Sequence, residues 1–432
     1  MKKPQNKQQL LSWSDQVVER GQAVLDGTHT GVFAMLPFIG PSVVASIAYM
    51  DPGNFATNIE AGASFGLKLL WVVLLANVMA MLFQSISARV GIVTDKSLAM
   101  LCREFFPKPI VYFMWVAGEI GAMATDLAEF LGGAIGLHLL LSIPVLGCLV
   151  LMGIATYGML LLQNRGFRPL ELLITGFVSL IGLAYLAEVL LAPPDWAEFA
   201  TSALVPRLEG PHSITLAVGI IGATVMPHVL YLHSSLTATR IPARHAQDRR
   251  TLIRFSNREV IVALSIAGLI NMAMLTMAAQ AFHKTAADVA DIATAYKTLT
   301  PLLGAGAASL FMVALLSSGF SSSVVGTMAG QVIMQDFVGF AIPLWLRRLV
   351  TMVPSVLVVA LGMDETQALV NSQVVLSLVL PVPLVSLLII ARSPRLMGAF
   401  RLGRITLAGA GLAAVIILIL NIMLLADTFG IL

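Results

Sequence analysis

The sequence predicts an all-α polytopic membrane protein with eleven transmembrane helices, built as two inverted five-helix repeats plus one extra helix. Three observations point to this class: the composition, a regular alternation of basic residues between apolar runs, and two proline-interrupted helices at matched positions. Hydrophobic residues make up 58% of the 432-residue chain and charged residues 11%, against about 25% charged in soluble domains. A soluble fold of this length would lack the charge to cover its surface. Apolar runs of about 20 residues, each long enough for a hydrocarbon core of about 30 Å, recur along the chain.

The spans are expected near 33–64, 68–92, 109–139, 143–163, 168–192, 213–239, 256–282, 300–335, 342–362, 366–391 and 404–428. Segment 1–32 is polar and reads as a cytoplasmic N-terminal segment rather than a cleaved signal peptide, because it has no apolar core followed by a small-residue cleavage site. The first five-helix repeat covers 33–192, an extracellular loop 193–212, the second repeat 213–391, and a loop with the eleventh helix 392–432. That last helix stands outside both repeats, and the sequence assigns it no role.

With the N-terminus inside, the inner loops hold Lys96, Arg103 and Lys108, then Arg165 and Arg168. Further along they hold Arg240, Arg244, Arg249, Arg250 and Arg254, then Arg392, Arg395, Arg401 and Arg404. The outer loops hold Asp195, Glu198, Glu209, Asp364 and Glu365 with few basic residues. This is the positive-inside pattern, and it puts the C-terminus outside. The net charge of +3 reports loop topology, with no sign of nucleic-acid binding. Cys102, placed in a loop, and Cys148, placed in a span, form no CxxC pair, so neither a disulfide framework nor a thiolate cluster is expected.

The first span contains "SIAYMDPGNFATN" at 46–58 and the sixth "LAVGIIGATVMPHVLYLHSS" at 216–235. An odd number of crossings separates them, so the corresponding segments run in opposite directions. Broken helices in inverted halves point to a secondary transporter with its site near the bilayer midplane. Proline has no N–H and leaves the carbonyl four residues earlier without its donor. Pro52 therefore frees the carbonyl of Ala48, and Pro227 that of Ala223. Such backbone survives at membrane depth only where it lines a cavity or is buried in protein. Asp51, Asn54 and Met226 lie beside these breaks. One carboxylate, one amide oxygen, one thioether and two carbonyls suit a soft transition metal better than calcium or magnesium. Either break alone is equally well a proline kink, and the 21 methionines are mostly packing. The site reading rests on the conjunction.

"DPGN" at 51–54, "MPH" at 226–228 and "GFSSSVVGTMAGQVIMQDF" at 319–337 together resemble the Nramp family of proton-coupled divalent metal transporters, over essentially the whole chain. The resemblance implies a LeuT-like fold and a bacterial manganese or iron importer of the inner (plasma) membrane. It implies that Asp51, Asn54 and Met226 bind metal with the carbonyls of Ala48 and Ala223, and that Gln373 in "NSQVV" joins in some conformations. Gln84 matches a position associated with the gate. Where many members have asparagine after the histidine, this chain has Val229, which leaves the ligands intact and puts a polar role there in doubt.

Span three carries Glu119, Asp126 and Glu129 in "GEIGAMATDLAEF". Steps of seven and ten residues return to within about 20° and 80° of the start, so the three share one side of a helix. Carboxylate chains inside transporters mark proton relays. The expected proton pathway comprises Asp51, Asp126, Glu129, Glu119, His228, Arg347 and Arg348; the resemblance suggests that the two arginines pair with the carboxylates. For Glu119 a salt-bridge network that only holds helices together is an equal reading. His228 and His233 are about 140° apart on a helix and cannot ligate one metal together; His228 is expected to line the pathway, and His233, with Gln84, is assigned to the gate. Asn77 and Asn271 read as helix-to-helix hydrogen bonding.

The expected function is import of Mn²⁺ or Fe²⁺ by symport with protons, the metal being cargo and no cofactor being held. The alternative is an organic-solute, amino-acid-like transporter of the same inverted-repeat architecture, which Asp51 and Met226 at the breaks disfavour. No catalytic motif or soluble domain supports an enzyme. The partners are a divalent transition metal ion, the proton and the lipid bilayer; no oligomeric state follows from the sequence.

Overall fold

The computed structural model describes residues 13–28, 36–162, 167–283, 292–339 and 343–429. Much of the expected 1–32 segment, Arg165, the outermost residues of the first, fourth and ninth expected spans and residues 430–432 lie outside the described residues. Every regular element among the described residues is helical. The helix α1 (Trp13–Leu25) precedes a pair, α2 (Pro41–Ala48) and α3 (Pro52–Phe65). Then come α4 (Leu70–Thr94), α5 (Leu98–Phe105), α6 (Lys108–Leu141), α7 (Val145–Leu160), α8 (Phe167–Leu191) and α9 (Trp196–Leu204). A second pair, α10 (Gly210–Thr224) and α11 (Pro227–Ala238), leads to α12 (Ala246–Ala278), which ends in a π turn over Ala279–His283. The remainder is α13 (Ile292–Leu303), α14 (Ala305–Val338), α15 (Leu344–Ala360), α16 (Glu365–Val379), α17 (Pro381–Arg392), α18 (Pro394–Met397) and α19 (Arg404–Thr428).

Among the described residues, eight helical stretches are long and apolar enough to cross a membrane: α4, α6, α8, α10 with α11, α12 with its π turn, α14, α16 with α17, and α19. Large apolar side chains such as Leu183 (64% exposed), Leu190 (74%) and Ile405 (90%) face outward. Meanwhile Asp51, Asp126, Glu129, His228 and His233 are buried. Apolar residues outside and ionisable ones within is the inversion a lipid solvent imposes.

Four details differ from the sequence reading. The expected loop 193–212 carries α9; the Asp195 side chain caps it by accepting from the backbone N–H of Ala197 and Glu198 at 2.8 and 3.3 Å. Arg249, Arg250 and Arg254 lie on α12, which starts at Ala246, ten residues ahead of the expected span, rather than in a loop. Apolar periodicity marks only the part of a helix that meets core or lipid, so a charged, projecting turn escapes it. Cys102 is buried in α5 instead of lying in a loop. The tenth expected span is two helices meeting at Leu380 and Pro381.

The long helix α6 organises the centre. A side chain on Gly132 would strike Pro52, and a Cβ on Gly121 would touch Pro227 Cγ at 3.5 Å. Eleven residues are close to three whole turns, so the two glycines lie on one face. One face of α6 thus passes both broken helices. It also meets α14 closely: a Cβ on Gly319 would lie 2.7 Å from Gly133 Cα.

Candidate metal centre

Both expected breaks are present. The helix α2 ends at Ala48, and its last turn tightens, with Tyr49 N–H donating to Ser46 O (3.1 Å) and Met50 N–H to Ile47 O (3.0 Å). Asp51 is then the N-cap of α3, its Oδ1 accepting from Asn54 N–H at 2.8 Å. Two carbonyls of the break receive side-chain donors from neighbouring helices: Asn271 Nδ2 donates to Tyr49 O (2.6 Å) and Ser318 Oγ to Met50 O (2.5 Å). The carbonyl of Ala48 has no such donor among the described residues, as Pro52 dictates. On the other side α10 ends at Thr224, and Met226, buried, is the N-cap of α11 with extended backbone (φ −72°, ψ 125°).

The structure brings the two breaks together. The Asn54 side-chain amide lies 2.5 Å from Asp51 Oδ1 and 3.3 Å from Ala223 O when its nitrogen faces them. As a donor that nitrogen satisfies both acceptors; turned over, the amide presents an oxygen to the same place. Oxygen beside oxygen repels unless a cation lies between them, so this side chain can serve either an ion-free or an ion-bound site. Gln373 closes the site from α16. A side chain on Gly53 would strike its amide, so glycine is what allows the close approach. Gln373 Nε2 donates to Ser372 Oγ at 3.0 Å, whereas Gln373 Oε1, Asp51 Oδ2, Thr224 Oγ1 and His228 Nε2 are buried with no hydrogen-bond partner among the described residues. Buried acceptors left open in this way cost free energy unless something binds them. The C-terminal ends of α2 and α10 carry partial negative charge toward the same region. Three oxygen types, a sulfur and an adjacent imidazole nitrogen make a mixed donor set suited to a borderline-soft divalent ion.

The carboxylates Glu119, Asp126 and Glu129 lie on α6, the helix that passes both breaks. Thr125 Oγ1 pairs with His228 Nδ1 at 3.0 Å, tying α6 to the start of α11. Glu129 lies over Gly326 of α14, where a Cβ would collide with its carboxylate. Asp51, Asp126 and Arg348 are the charged groups acting on it. Both Glu129 oxygens and Asp126 Oδ1 lack a donor among the described residues, and the two carboxyl groups face each other. Arg347 approaches Glu119 Oε2 (3.6 Å) and donates to Gly330 O. Of the two arginines, Arg347 makes the carboxylate contact that the resemblance suggests, while Arg348 feels Asp126 and Glu129 electrostatically without a direct ion pair. Arg348 makes no carboxylate contact within 4.0 Å among the described residues; it donates to Ser323 O (3.0 Å) and Ser323 Oγ (2.7 Å) and lies 4.3 Å over the Phe130 ring. A guanidinium is weakly hydrated and stacks on aromatic faces, so hydroxyl, carbonyl and ring suffice to hold it.

Gln84 and His233 belong to a separate chain of contacts. Ser42 Oγ meets His233 Nε2 (3.3 Å), His233 Nδ1 meets Gln84 Oε1 (2.8 Å), and Gln84 Nε2 donates to the Tyr49 hydroxyl (2.5 Å). This chain fastens α2 to α4 and α11 beside the candidate site, and His233 and His228 share no partner among the described residues. Sequence reasoning missed Tyr49, Thr125 and Ser323. A hydroxyl within an apolar helix has no sequence signal that separates it from ordinary helix-to-helix hydrogen bonding.

The fold and the site define a polytopic helical membrane protein whose two broken helices meet at a cluster of mixed donors. Residues 42–427 match the model of the natural resistance-associated macrophage protein-like (Nramp) family. The chain belongs to that family, a family of transporters rather than enzymes. It is 59% identical over 411 residues to the divalent metal cation transporter MntH of Verminephrobacter eiseniae, covering 95% of this chain and 93% of that protein. Among solved structures it is similar to a manganese transporter of Eremococcus coleocola crystallised with an aromatic bis-isothiourea-substituted compound. The TM-score is 0.84 at 33% identity, covering 93% of this chain and 90% of that one. A nucleobase-cation-symport-1 family transporter in a closed conformation aligns with TM-score 0.58 at 12% identity, over 90% of this chain and 93% of that one, and shares the fold alone.

Proposed function

We propose that this protein is a secondary active importer of divalent transition metal ions, Mn²⁺ or Fe²⁺, driven by symport with protons. The observation that carries the reading is the meeting of Asp51, Asn54, Gln373 and the carbonyl of Ala223 at two facing helix breaks, with buried Met226 at the second break and acceptors there left unpaired. Relatives named as divalent metal cation and manganese transporters support it. Metal binds at Asp51, Asn54, Met226, the carbonyls of Ala48 and Ala223 and, when α16 is suitably placed, Gln373. It is cargo, and the chain holds no resident cofactor. Protons pass between Asp51 and the α6 carboxylates Asp126 and Glu129, with His228 beside them; Glu119, Arg347 and Arg348 form the far end of that path. Gln84 and His233 hold the gate.

The proposed topology is eleven spans in two inverted five-helix repeats, 33–192 and 213–391, with the last helix outside them. The N-terminus is cytoplasmic and the C-terminus extracytoplasmic, in a bacterial inner membrane. The alternation of basic residues supports that orientation, because Arg249, Arg250 and Arg254 keep their side whether they lie in a loop or on the projecting end of α12.

The test is Mn²⁺ uptake into proteoliposomes with and without an inward proton gradient. Saturable uptake that the gradient stimulates is the expected result. No uptake by folded wild-type protein would sink the reading and bring an organic solute forward. Met226→Ala is expected to admit Ca²⁺ and Mg²⁺ as effective competitors, since removing the thioether removes the one soft ligand that hard cations do not share. Competition unchanged from wild type would deny Met226 a part in selectivity.

A further inference from the structure

A further proline break lies between α16 and α17, and there the freed carbonyl is closed by another helix. Pro381 leaves Ser377 O without its intrahelical donor, although the backbone stays helical through Leu380 (φ −53°, ψ −37°). The missing donor arrives from the last helix: Asn421 Nδ2 on α19 donates to Ser377 O at 2.7 Å. Ser377 Oγ in turn donates to Asn421 Oδ1 at 2.8 Å. Both side chains are buried. From the other side α10 presses on the same turn of α16. A Cβ on Gly222 would fall 2.8 Å from Ser377 N and would strike Gln373 O. The turn Gln373–Ser377 is therefore held between the helix that carries Ala223 and the helix that carries Asn421.

We propose that Asn421 is a positioning residue for the metal centre: it supplies the hydrogen bond that Pro381 denies to Ser377 O, and so fixes the turn of α16 that presents Gln373. This rests on the reading of Gln373 as part of the metal site. An unpaired carbonyl at this depth costs free energy. Left open, it would be relieved by turning or unwinding the end of α16, and Gln373, four residues before Ser377, would move with it. These breaks then divide the work. Ala48 keeps its carbonyl for the cation and Ala223 faces only the Asn54 amide, which can turn over, while Ser377 gives its carbonyl to α19. The last helix, which stands outside the proposed repeats, gains a function as a clamp on one of them.

The test is a cycle of Asn421→Leu and Pro381→Ala in the full-length protein, read by thermal unfolding in detergent and by Mn²⁺ titration calorimetry, with Gln373→Ala as a third background. Alanine at 381 restores an N–H to a segment already helical and so makes the Asn421 donor dispensable. Asn421→Leu alone is expected to lower the melting temperature and weaken Mn²⁺ binding by about three- to tenfold. In the Pro381→Ala background both losses should shrink to less than half. Equal losses with and without Pro381, or none in either, would overturn the cap. In the Gln373→Ala background Asn421→Leu should still lower the melting temperature yet take no further toll on Mn²⁺ affinity; a further loss would overturn positioning through Gln373. If Gln373→Ala alone leaves Mn²⁺ affinity unchanged, the reading of Gln373 fails and the positioning role fails with it, while the melting cycle still decides the cap. Should leucine prevent folding, Asn421→Ala enters the same cycle.

Discussion

Asp51→Ala is expected to weaken Mn²⁺ binding by about two to three orders of magnitude, the cost of removing the charged partner from a buried ion pair. The carboxylate does two jobs, and they can be separated. Its Oδ1 caps α3 through the Asn54 N–H at 2.8 Å, while its Oδ2 is buried with no partner among the described residues. The cap alone is worth about 1 kcal/mol, and asparagine caps a helix as well as aspartate does. Asp51→Asn should therefore keep the melting temperature of the wild type and still lose Mn²⁺ binding almost as fully as alanine. Calorimetric titration of the purified protein, run beside a melting curve, checks both. Near-wild-type affinity in Asp51→Asn would mean that the residue shapes the break without ligating the ion, and the proposed site would have to be rebuilt around Met226 and the carbonyls.

The two breaks at the site were legible because the effect of proline is local. It removes a donor from a carbonyl four residues back, and the polar residues beside it, Asp51 and Asn54, are adjacent in the sequence. Pro381 obeys the same rule, yet it passed unread because no polar residue flanks it and its partner Asn421 lies in another helix. Gln84 and His233 show the same limit. Resemblance singles out Gln84, but the Tyr49 hydroxyl and Ser42 that complete its chain are brought to it by packing. The grouping of Glu119, Asp126 and Glu129 followed from helical angles alone. Which arginine met which carboxylate did not, because Ser323 and the Phe130 ring compete for Arg348 and only the packed helices decide. The start of α12 and the presence of α9 escaped for a simpler reason. They are helical turns beyond the apolar stretches, where hydrophobic pattern has nothing to report.

The geometry also separates the metal site from the α6 carboxylates, and that separation makes the coupling testable. Glu129 lies against Gly326 of α14, and Thr125, beside Asp126 on α6, pairs with His228, so on the proposed reading these carboxylates stand next to the site without belonging to its donor set. A divalent cation at Asp51 would add positive potential beside both groups. Arg348, held on Ser323 and Phe130, and Arg347, reaching Glu119, add charged groups of α15 to those of α6. Asp126→Asn and Glu129→Gln, which keep shape and remove the exchangeable charge, are expected to cut proton flux by about tenfold or more, because each interrupts a proton relay. Mn²⁺ affinity should change by less than about threefold, the scale of a lost long-range Coulomb interaction. Proteoliposomes carrying an internal pH indicator and an imposed Mn²⁺ gradient measure the flux, and calorimetry measures the binding. A variant that loses both to the same extent would make the α6 carboxylates part of the binding site itself; one that loses neither would return them to a structural network, with Asp51 left to exchange its proton directly with water.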